Sequence, residues 1–152
     1  MRDIKPSEYL IIDANRRIVG RLASITAKSL LQGKKVAIVN AEKAVISGNK
    51  KDIVKKYTVR VNLKEKANPE HSPSWSRRPD MLVKRIVRGM LPYRKAHGKE
   101  AYRRLLVFSG MPKAFEGSKP EESGAKDIRG MFVNTITIKE LSELLGNRKV
   151  KE

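Results

Sequence analysis

The sequence contains no cysteine, and this absence removes several kinds of chemistry at once. Disulfide bridges, thiolate metal sites and a cysteine nucleophile are excluded, and the absence is typical of a reducing compartment. Histidine is almost as scarce: only His71 and His97 occur, which are too few for a multi-histidine metal site. The sequence therefore predicts no metal centre.

Long apolar runs are also missing. No stretch approaches the roughly 18 apolar residues of a membrane span, and the N-terminus has no apolar signal core, so we expect neither a span nor export. Aromatic residues make up 5% of the chain and the hydrophobic set 39%, with enough Val, Ile and Leu for a core. At 152 residues the length suits one domain, which buries roughly two thirds of the surface that the unfolded chain exposes.

Acidic side chains are greatly outnumbered. The chain has 34 Lys and Arg against 16 Asp and Glu, so its formal net charge is +18 and its pI is near 10.4. Residues 50–104 carry seventeen basic and five acidic side chains, net +12, which is most of the excess. Such a concentration of one sign predicts a surface that binds phosphates, with nucleic acid favoured over an anionic membrane surface.

Apolar runs and helical periodicities alternate along the chain. Strands are predicted at residues 9–12, 36–39, 44–46, 105–108 and 132–136. Helices are predicted at residues 21–32, 49–62, 81–91, 99–104 and 138–145. The first strand, helix and strand form a βαβ unit. This order predicts an α/β sandwich with a mainly parallel sheet.

Several residues are predicted to set the ends of these helices. Asn49 and Asp80 are predicted N-caps, and Thr137 is predicted to open a capping box. Gly33 and Gly146 are predicted helix stops, since glycine adopts a positive φ without a Cβ penalty.

No linker or repeat divides the chain. We expect residues 1–146 to form a single α/β nucleic-acid-binding domain that includes an irregular basic loop at 64–80 and a surface excursion at 112–131. Residues 147–152 are predicted to be a polar C-terminal tail.

Catalytic and cofactor motifs are missing from the places where they would be expected. Gly33 and Gly98 each precede a lysine, but neither completes a phosphate-binding loop, and only Gly20 lies between the first strand and its helix. His71 and His97 are each either a general base or a loop histidine that contacts a partner, and no carboxylate near in sequence orients either ring. We therefore expect no enzyme, no catalytic residue, no cofactor and no small-molecule substrate.

Two predicted helices, 49–62 and 81–91, are amphipathic and basic. In the second, Leu82 and Ile86 face the core while Arg85 and Arg88 lie on the other half of the helical wheel. Such a helix can bury one side in the domain and offer the other to phosphates, which fits this pattern better than a helix lying on a membrane. The residues predicted to bind RNA are Lys50, Lys51, Lys55, Lys56, Trp75, Arg77, Arg78, Lys84, Arg85, Arg88, Arg94, Lys95, His97, Lys99, Arg103 and Arg104.

Trp75 and Gly89 each have two interpretations. Trp75, close to Arg77 and Arg78, either stacks on an unpaired RNA base or pins the loop to the domain. Gly89 either permits close approach of RNA or of another helix, or marks a turn before Pro92.

Several sequence segments in the two halves of the chain are together specific for one protein family. The second half contains VRGMLP at residues 87–92, GK at 98–99 and LLVFSG at 105–110. The first half contains IIDANRRIVGRLASITAKSLLQGKKVAIVNAEKAVISG at 11–48. Together these segments resemble the L-thirteen family, a universal family of large-subunit ribosomal proteins, over about two thirds of the chain. HSPSWSRRPDMLVKR, at residues 71–85, is similar to the archaeal and eukaryotic branch.

This resemblance has consequences for fold and function. It implies a three-layer α/β/α domain around a four-stranded, mainly parallel sheet, and a non-enzymatic role. It further implies binding of 23S-type ribosomal RNA, contacts with neighbouring large-subunit proteins, and support of early subunit assembly in the cytoplasm. Residues 112–131 match no pattern of the family, so the resemblance implies no role for them.

Overall fold

A computed structural model describes residues 6–118, 120 and 133–147. In this part of the chain, the strands are β1 (Tyr9–Asp13), β2 (Lys35–Val39), β3 (Val45–Ser47), β4 (Leu105–Val107) and β5 (Thr135–Thr137), and the helices are α1 (Val19–Leu31), α2 (Lys50–Asn62), α3 (Pro79–Met90), α4 (Ala96–Arg103) and α5 (Ile138–Leu144). Each predicted strand and helix is present with shifted bounds. The mixed α/β fold is therefore confirmed.

The parallel sheet has the strand order β1-β2-β4. Ile12 of β1 lies opposite Ile38 of β2, and Ile38 lies opposite Val107 of β4. Because α1 joins β1 to β2, the predicted βαβ unit is confirmed.

The described residues do not form the predicted four-stranded sheet. β3 instead pairs antiparallel with β5, with Ile46 opposite Ile136. A bridge between Ile18 and Val45 joins β3 to the segment after β1, and the Arg16 N–H donates to the carbonyl oxygen of Lys43 just before β3. Arg16 adopts a φ of +55°, which turns the chain at the end of β1.

The two faces of the parallel sheet are covered differently. Buried residues of all five helices pack in one cluster with Ile12 and Ile38. The opposite face, including Ile11 and Ala37, is covered by Phe115, which is fully buried in a short 3-10 turn. The second helical layer that the resemblance implies is therefore not among the described residues.

The predicted surface excursion at 112–131 is wrong at its beginning. Phe115 is a core residue because its ring, tilted against Phe108 and edge-on to Tyr9, closes the second face of the sheet. Residues 119 and 121–131 lie outside the described residues, as do residue 132 of the predicted last strand and 148–152 of the predicted tail.

Two predicted caps and two predicted stops are confirmed. The side chains of Asn49 and Thr137 accept hydrogen bonds from backbone N–H groups two and three residues further on, each at 3.2 Å. Gly33 and Gly146 follow their helices with φ of +92° and +91°.

The predicted N-cap at Asp80 is wrong. Arg78 occupies the N-cap position of α3, and Pro79 begins the helix, since its fixed φ suits the first helical turn. Asp80 lies in that first turn, is 9% exposed, and accepts a hydrogen bond from the Arg78 guanidinium at 2.7 Å.

Two helical glycines have opposite surroundings. A Cβ added to Gly98 in α4 would lie 2.1 Å from the carbonyl oxygen of Pro92, so α4 packs on the turn after α3 at a distance that only glycine permits. A Cβ added to Gly89 in α3 would meet nothing within 4 Å. Close approach of another helix is therefore not the reason for Gly89, and α3 continues through it to Met90.

We predict that Gly98→Ala lowers the free energy of unfolding by about 1–3 kcal/mol, because the added methyl group clashes with backbone. Gly89→Ala should leave this free energy unchanged or raise it by up to about 1 kcal/mol, since alanine is the better helix former. Urea denaturation of the two variants measures both effects, and equal destabilisation would contradict this account of the packing.

Candidate nucleic-acid interface

Helices α2 and α3 and the loop between them carry most of the predicted basic residues, and one surface forms where Arg60 of α2 and Arg85 of α3 meet over the ring of Trp75 in that loop. Lys51, Lys55 and Lys56 are exposed on α2. Lys50 is also exposed, but its ammonium group forms an ion pair with Glu140. The irregular loop is predicted at residues 64–80; residues 63–78 contain a short 3-10 turn at Pro69–His71 and no other regular element, whereas Pro79 and Asp80 belong to α3.

Trp75 is the centre of this surface. Its half-buried ring packs against the main core, edge-on to the ring of Tyr57 with 6.3 Å between centroids. The guanidinium carbon of Arg85 lies 3.9 Å from the Trp75 ring centroid, and that of Arg60 lies 5.1 Å from it. The interpretation that Trp75 pins the loop is thus supported by its packing, and the ring also holds two cations.

Arg85 is fixed by more than the ring beneath it. Its Nη1 donates a hydrogen bond to the carbonyl oxygen of Ser74 at 2.7 Å, which ties α3 to the loop. Burial lowers the pKa of the Arg85 guanidinium, and the neighbouring charges of Arg88 and Arg60 lower it further. Within the described ranges no ion pair reaches Arg60, Arg85 or Arg88. These cations therefore stand close together without a compensating carboxylate.

A second group of aromatic rings supports the next cations of α3. The guanidinium carbon of Arg88 lies 4.0 Å from the ring centroid of Tyr93, and the ammonium nitrogen of Lys84 lies 5.3 Å from that of Tyr102. The two tyrosine rings are edge-on to each other at 5.4 Å. Burial is the main reason why the pKa of Tyr102 is raised, so the ring remains a neutral support for the cation.

Two depressions open on either side of Trp75. The cationic groove, of about 640 Å³, is lined by Trp75, Arg85, Arg88, Gly89, Leu91, Pro92, Tyr93, Arg94 and Lys95. The apolar cleft, of about 500 Å³, is lined by Ile18, Val19, Gly20, Ile46, Ser47, Lys56, Tyr57, Arg60, Trp75, Arg85, Ile86 and Gly89. Trp75, Arg85 and Gly89 belong to both depressions and form the ridge between them.

Other predicted site residues lie away from this ridge. Arg77 lies beside the end of α5, because one of its guanidinium nitrogens is 3.2 Å from the point where a Cβ added to Gly146 would lie. Arg78 is paired with Asp80. The predicted residues of α4 that are exposed but outside both depressions are His97, Lys99 and Arg103.

Arg104 is partly buried, unlike His97, Lys99 and Arg103. Its Nη2 donates to the carbonyl oxygen of Leu30 at 3.5 Å, and its Nε is buried with no hydrogen-bond partner within the described part of the chain. Arg104 directly precedes β4, and its guanidinium reaches the end of α1. A cation near the last carbonyls of a helix is favourable, so Arg104 contributes to the packing of α1.

Sequence reasoning missed three residues of the surface. Arg60 and Tyr57 are three positions apart on α2, a spacing that places their side chains on neighbouring positions of a helix. That spacing is the only signal that would have indicated Arg60. Tyr93 was visible only as part of a basic turn, because nothing local indicates that its ring lies under Arg88.

The described residues contain no group of three or more His, Cys, Asp or Glu that could hold a metal ion. None of the helices described is both long and apolar enough to cross a membrane.

Fold and site together define a class of small, strongly basic α/β protein that presents aromatic-supported cations on one surface. A family model for ribosomal protein L13 matches residues 7–114. The large ribosomal subunit protein uL13 of Methanosphaera stadtmanae is 45% identical over 141 residues, covering 90% of this chain and 96% of the relative. The corresponding protein of Methanopyrus kandleri is 36% identical over 148 residues, covering 95% and 91%. That of Sulfolobus acidocaldarius is 41% identical over 143 residues, covering 93% and 96%. The chain belongs to the ribosomal protein L13 family.

This membership confirms three of the sequence-based expectations. The family resemblance is correct, the chain belongs to a family of non-enzymatic ribosomal proteins, and its relatives are of the archaeal type.

We predict that Trp75→Ala releases the loop, because the Trp75 ring packs against the main core. Limited trypsin digestion should then cut within residues 64–80 about tenfold faster, equivalent to a loss of about 1.4 kcal/mol of local stability. Trp75→Phe retains a ring and should stay close to wild type. Cleavage of the alanine variant at the wild-type rate would show that the ring does not hold the loop.

Proposed function

We propose that this protein is a structural constituent of the large ribosomal subunit that binds 23S-type ribosomal RNA and supports early subunit assembly. Residues 1–146 act as one RNA-binding domain in this proposal. The binding surface consists of α2, the loop at 64–80, α3 and the turn at 91–95. The relatives are named as large-subunit proteins, which supports the placement, and neighbouring large-subunit proteins are the expected protein partners.

The observation that carries this proposal is the crowding of Arg60, Arg85 and Arg88 on aromatic rings. Like charges held together raise the free energy of the protein alone, and a polyanion removes that cost. Two guanidinium groups lie within 4.0 Å of a ring centroid, so their positions are fixed before any ligand arrives. Less side-chain entropy is then lost when phosphates bind.

The surface is suited to recognise the shape and the phosphate backbone of RNA rather than its base sequence. Guanidinium groups bind phosphate oxygens in a bidentate geometry, and the A-form helix hides base edges in a deep, narrow groove. Arg85 and Arg88 are the central phosphate ligands in this proposal, with Arg94 and Lys95 continuing the cationic groove. The outer ligands are Lys50, Lys51, Lys55, Lys56, Arg77, Arg78, Lys84, His97, Lys99 and Arg103.

We predict that the double variant Arg85→Gln, Arg88→Gln lowers the slope of log affinity against log salt by about 1.4–1.8, because each cation neutralises one phosphate. The slope is measured with transcribed large-subunit RNA between about 50 mM and 200 mM salt.

The matched control removes two other exposed charges, through Lys34→Gln and Lys113→Gln. Lys34 follows α1, and Lys113 lies beside Phe115 on the opposite face of the sheet. The control should keep the wild-type slope, and both variants should keep the wild-type melting temperature within a few degrees. A double variant with unchanged slope would overturn the assignment of this face of α3.

A second prediction concerns the native particle. In fractionated cell extract the chain should migrate with large ribosomal subunits after a moderate-salt wash, since many phosphate contacts are broken only at higher salt. Migration as a free protein, or with vesicles, would contradict the proposed function.

A further inference from the structure

We propose that the apolar cleft receives the base of one unpaired nucleotide of the bound RNA, while the sugar-phosphate backbone follows the cationic groove. This inference rests on the proposed function and names the part of RNA that the surface selects. It assigns a separate role to each side of the Trp75 ridge.

The cleft has the size and lining of a small-molecule pocket. Its volume is about 500 Å³, within the range of about 300–1,000 Å³ in which such ligands bind. The apolar walls of the cleft are formed by Ile18 and Val19 at the start of α1, Ile46 in the middle of β3 and Ile86 of α3. A flat apolar face, such as that of a nucleobase, is the kind of surface that these walls can bury.

The charged groups of the cleft select an anion. Lys56, Arg60 and Arg85 line it, and no acidic side chain does so among the described residues. A purely apolar partner would bury these cations without compensation, which is costly. A nucleotide offers both properties, because it joins an apolar ring to a phosphate.

The ridge between the two depressions explains how one nucleotide can reach both. Trp75, Arg85 and Gly89 line the cationic groove and the apolar cleft alike. A backbone lying along Arg88 and Arg94 in the groove therefore passes over the ridge, and a base turned out from it enters the cleft. Unstacking costs least for a base that is already unpaired.

Arg85 supplies a surface on which that base can stack. The guanidinium carbon of Arg85 lies 3.9 Å from the centroid of the Trp75 ring, and the Arg85 side chain lines both depressions. Unpaired bases in RNA complexes commonly stack on arginine planes as well as on aromatic rings. The Trp75 ring thus acts through Arg85, which differs from direct stacking of a base on tryptophan.

Gly89 leaves room on the ridge for RNA to pass from the cationic groove to the apolar cleft. A Cβ there meets nothing within 4 Å, so the protein itself gives no steric reason for glycine in this helical position. Gly89 is the last residue but one of α3, where glycine adds no stability relative to alanine, and a ligand passing close to the backbone would account for its presence. A large side chain at this position would project between groove and cleft.

The test uses the full-length protein and three RNA duplexes. One is fully paired, the second is identical except for a single unpaired nucleotide, and the third carries an abasic residue in place of that nucleotide. Trp75 is the only tryptophan of the chain, so quenching of its fluorescence reports binding at the ridge. We expect the wild-type protein to bind the bulged duplex at least about tenfold more tightly than the other two, since stacking of one base contributes about 1–3 kcal/mol.

The decisive variant is Gly20→Leu, because Gly20 lines the apolar cleft but not the cationic groove, and a Cβ there meets nothing within 4 Å. It should reduce the preference for the bulged duplex to less than about twofold while the affinity for the paired duplex stays near wild type. Gln32→Leu places the same side chain on an exposed residue after α1 and should change neither affinity. Melting temperatures of both variants establish that they are folded.

The outcomes separate this inference from the proposed function. Equal affinity of the wild-type protein for all three duplexes, or a preference that survives in Gly20→Leu, would overturn the base-binding cleft and leave the proposed function intact. An abasic bulge that binds as tightly as the intact one would also overturn it, because the base would then be dispensable. Failure to bind any duplex would overturn the proposed function itself. Displacement of bulged RNA by a free mononucleotide at equal concentration would instead identify the ligand as a free nucleotide.

Discussion

Cations gathered on one surface repel each other, so a face such as this one keeps its shape only if something other than charge fixes its side chains. Aromatic rings do this here, since Trp75 lies beneath Arg85 at 3.9 Å and Tyr93 beneath Arg88 at 4.0 Å. Each such contact contributes about 0.5–2 kcal/mol. Trp75 packs on the main core, so the position of its cation is set by the core. The proposed binding surface depends on this order of contacts, from core to ring to guanidinium.

Carboxylates reach the edges of this surface but not its centre. Glu140 pairs with Lys50, and Asp80 pairs with Arg78, so these cations contribute to holding α5 and the start of α3 in place. Arg85 has no such partner among the described residues, and burial together with the neighbouring cations lowers its pKa. A phosphate would supply the negative charge that the centre of this surface does not have.

Sequence patterns predicted the helices well because helical periodicity is local. The apolar stripe of α3 and the cap at Asn49 needed no knowledge of distant residues. The patterns failed where a side chain contacts an element that is distant in the sequence. Phe115 looked like part of a polar excursion, yet it covers the second face of the sheet. Arg104 looked like a surface cation, yet it binds a carbonyl of α1.

By itself the sequence determined the family, the α/β order of elements and the concentration of positive charge in residues 50–104, because each is encoded in residue types and local spacing. Only the tertiary structure decided which cations meet. Arg60 of α2 and Arg85 of α3 share one tryptophan ring from the loop between them, and Gly89 lies on the ridge beside it. The contacts of these side chains depend on how α2 and α3 are placed relative to each other and on the path of the loop, and long-range packing sets both.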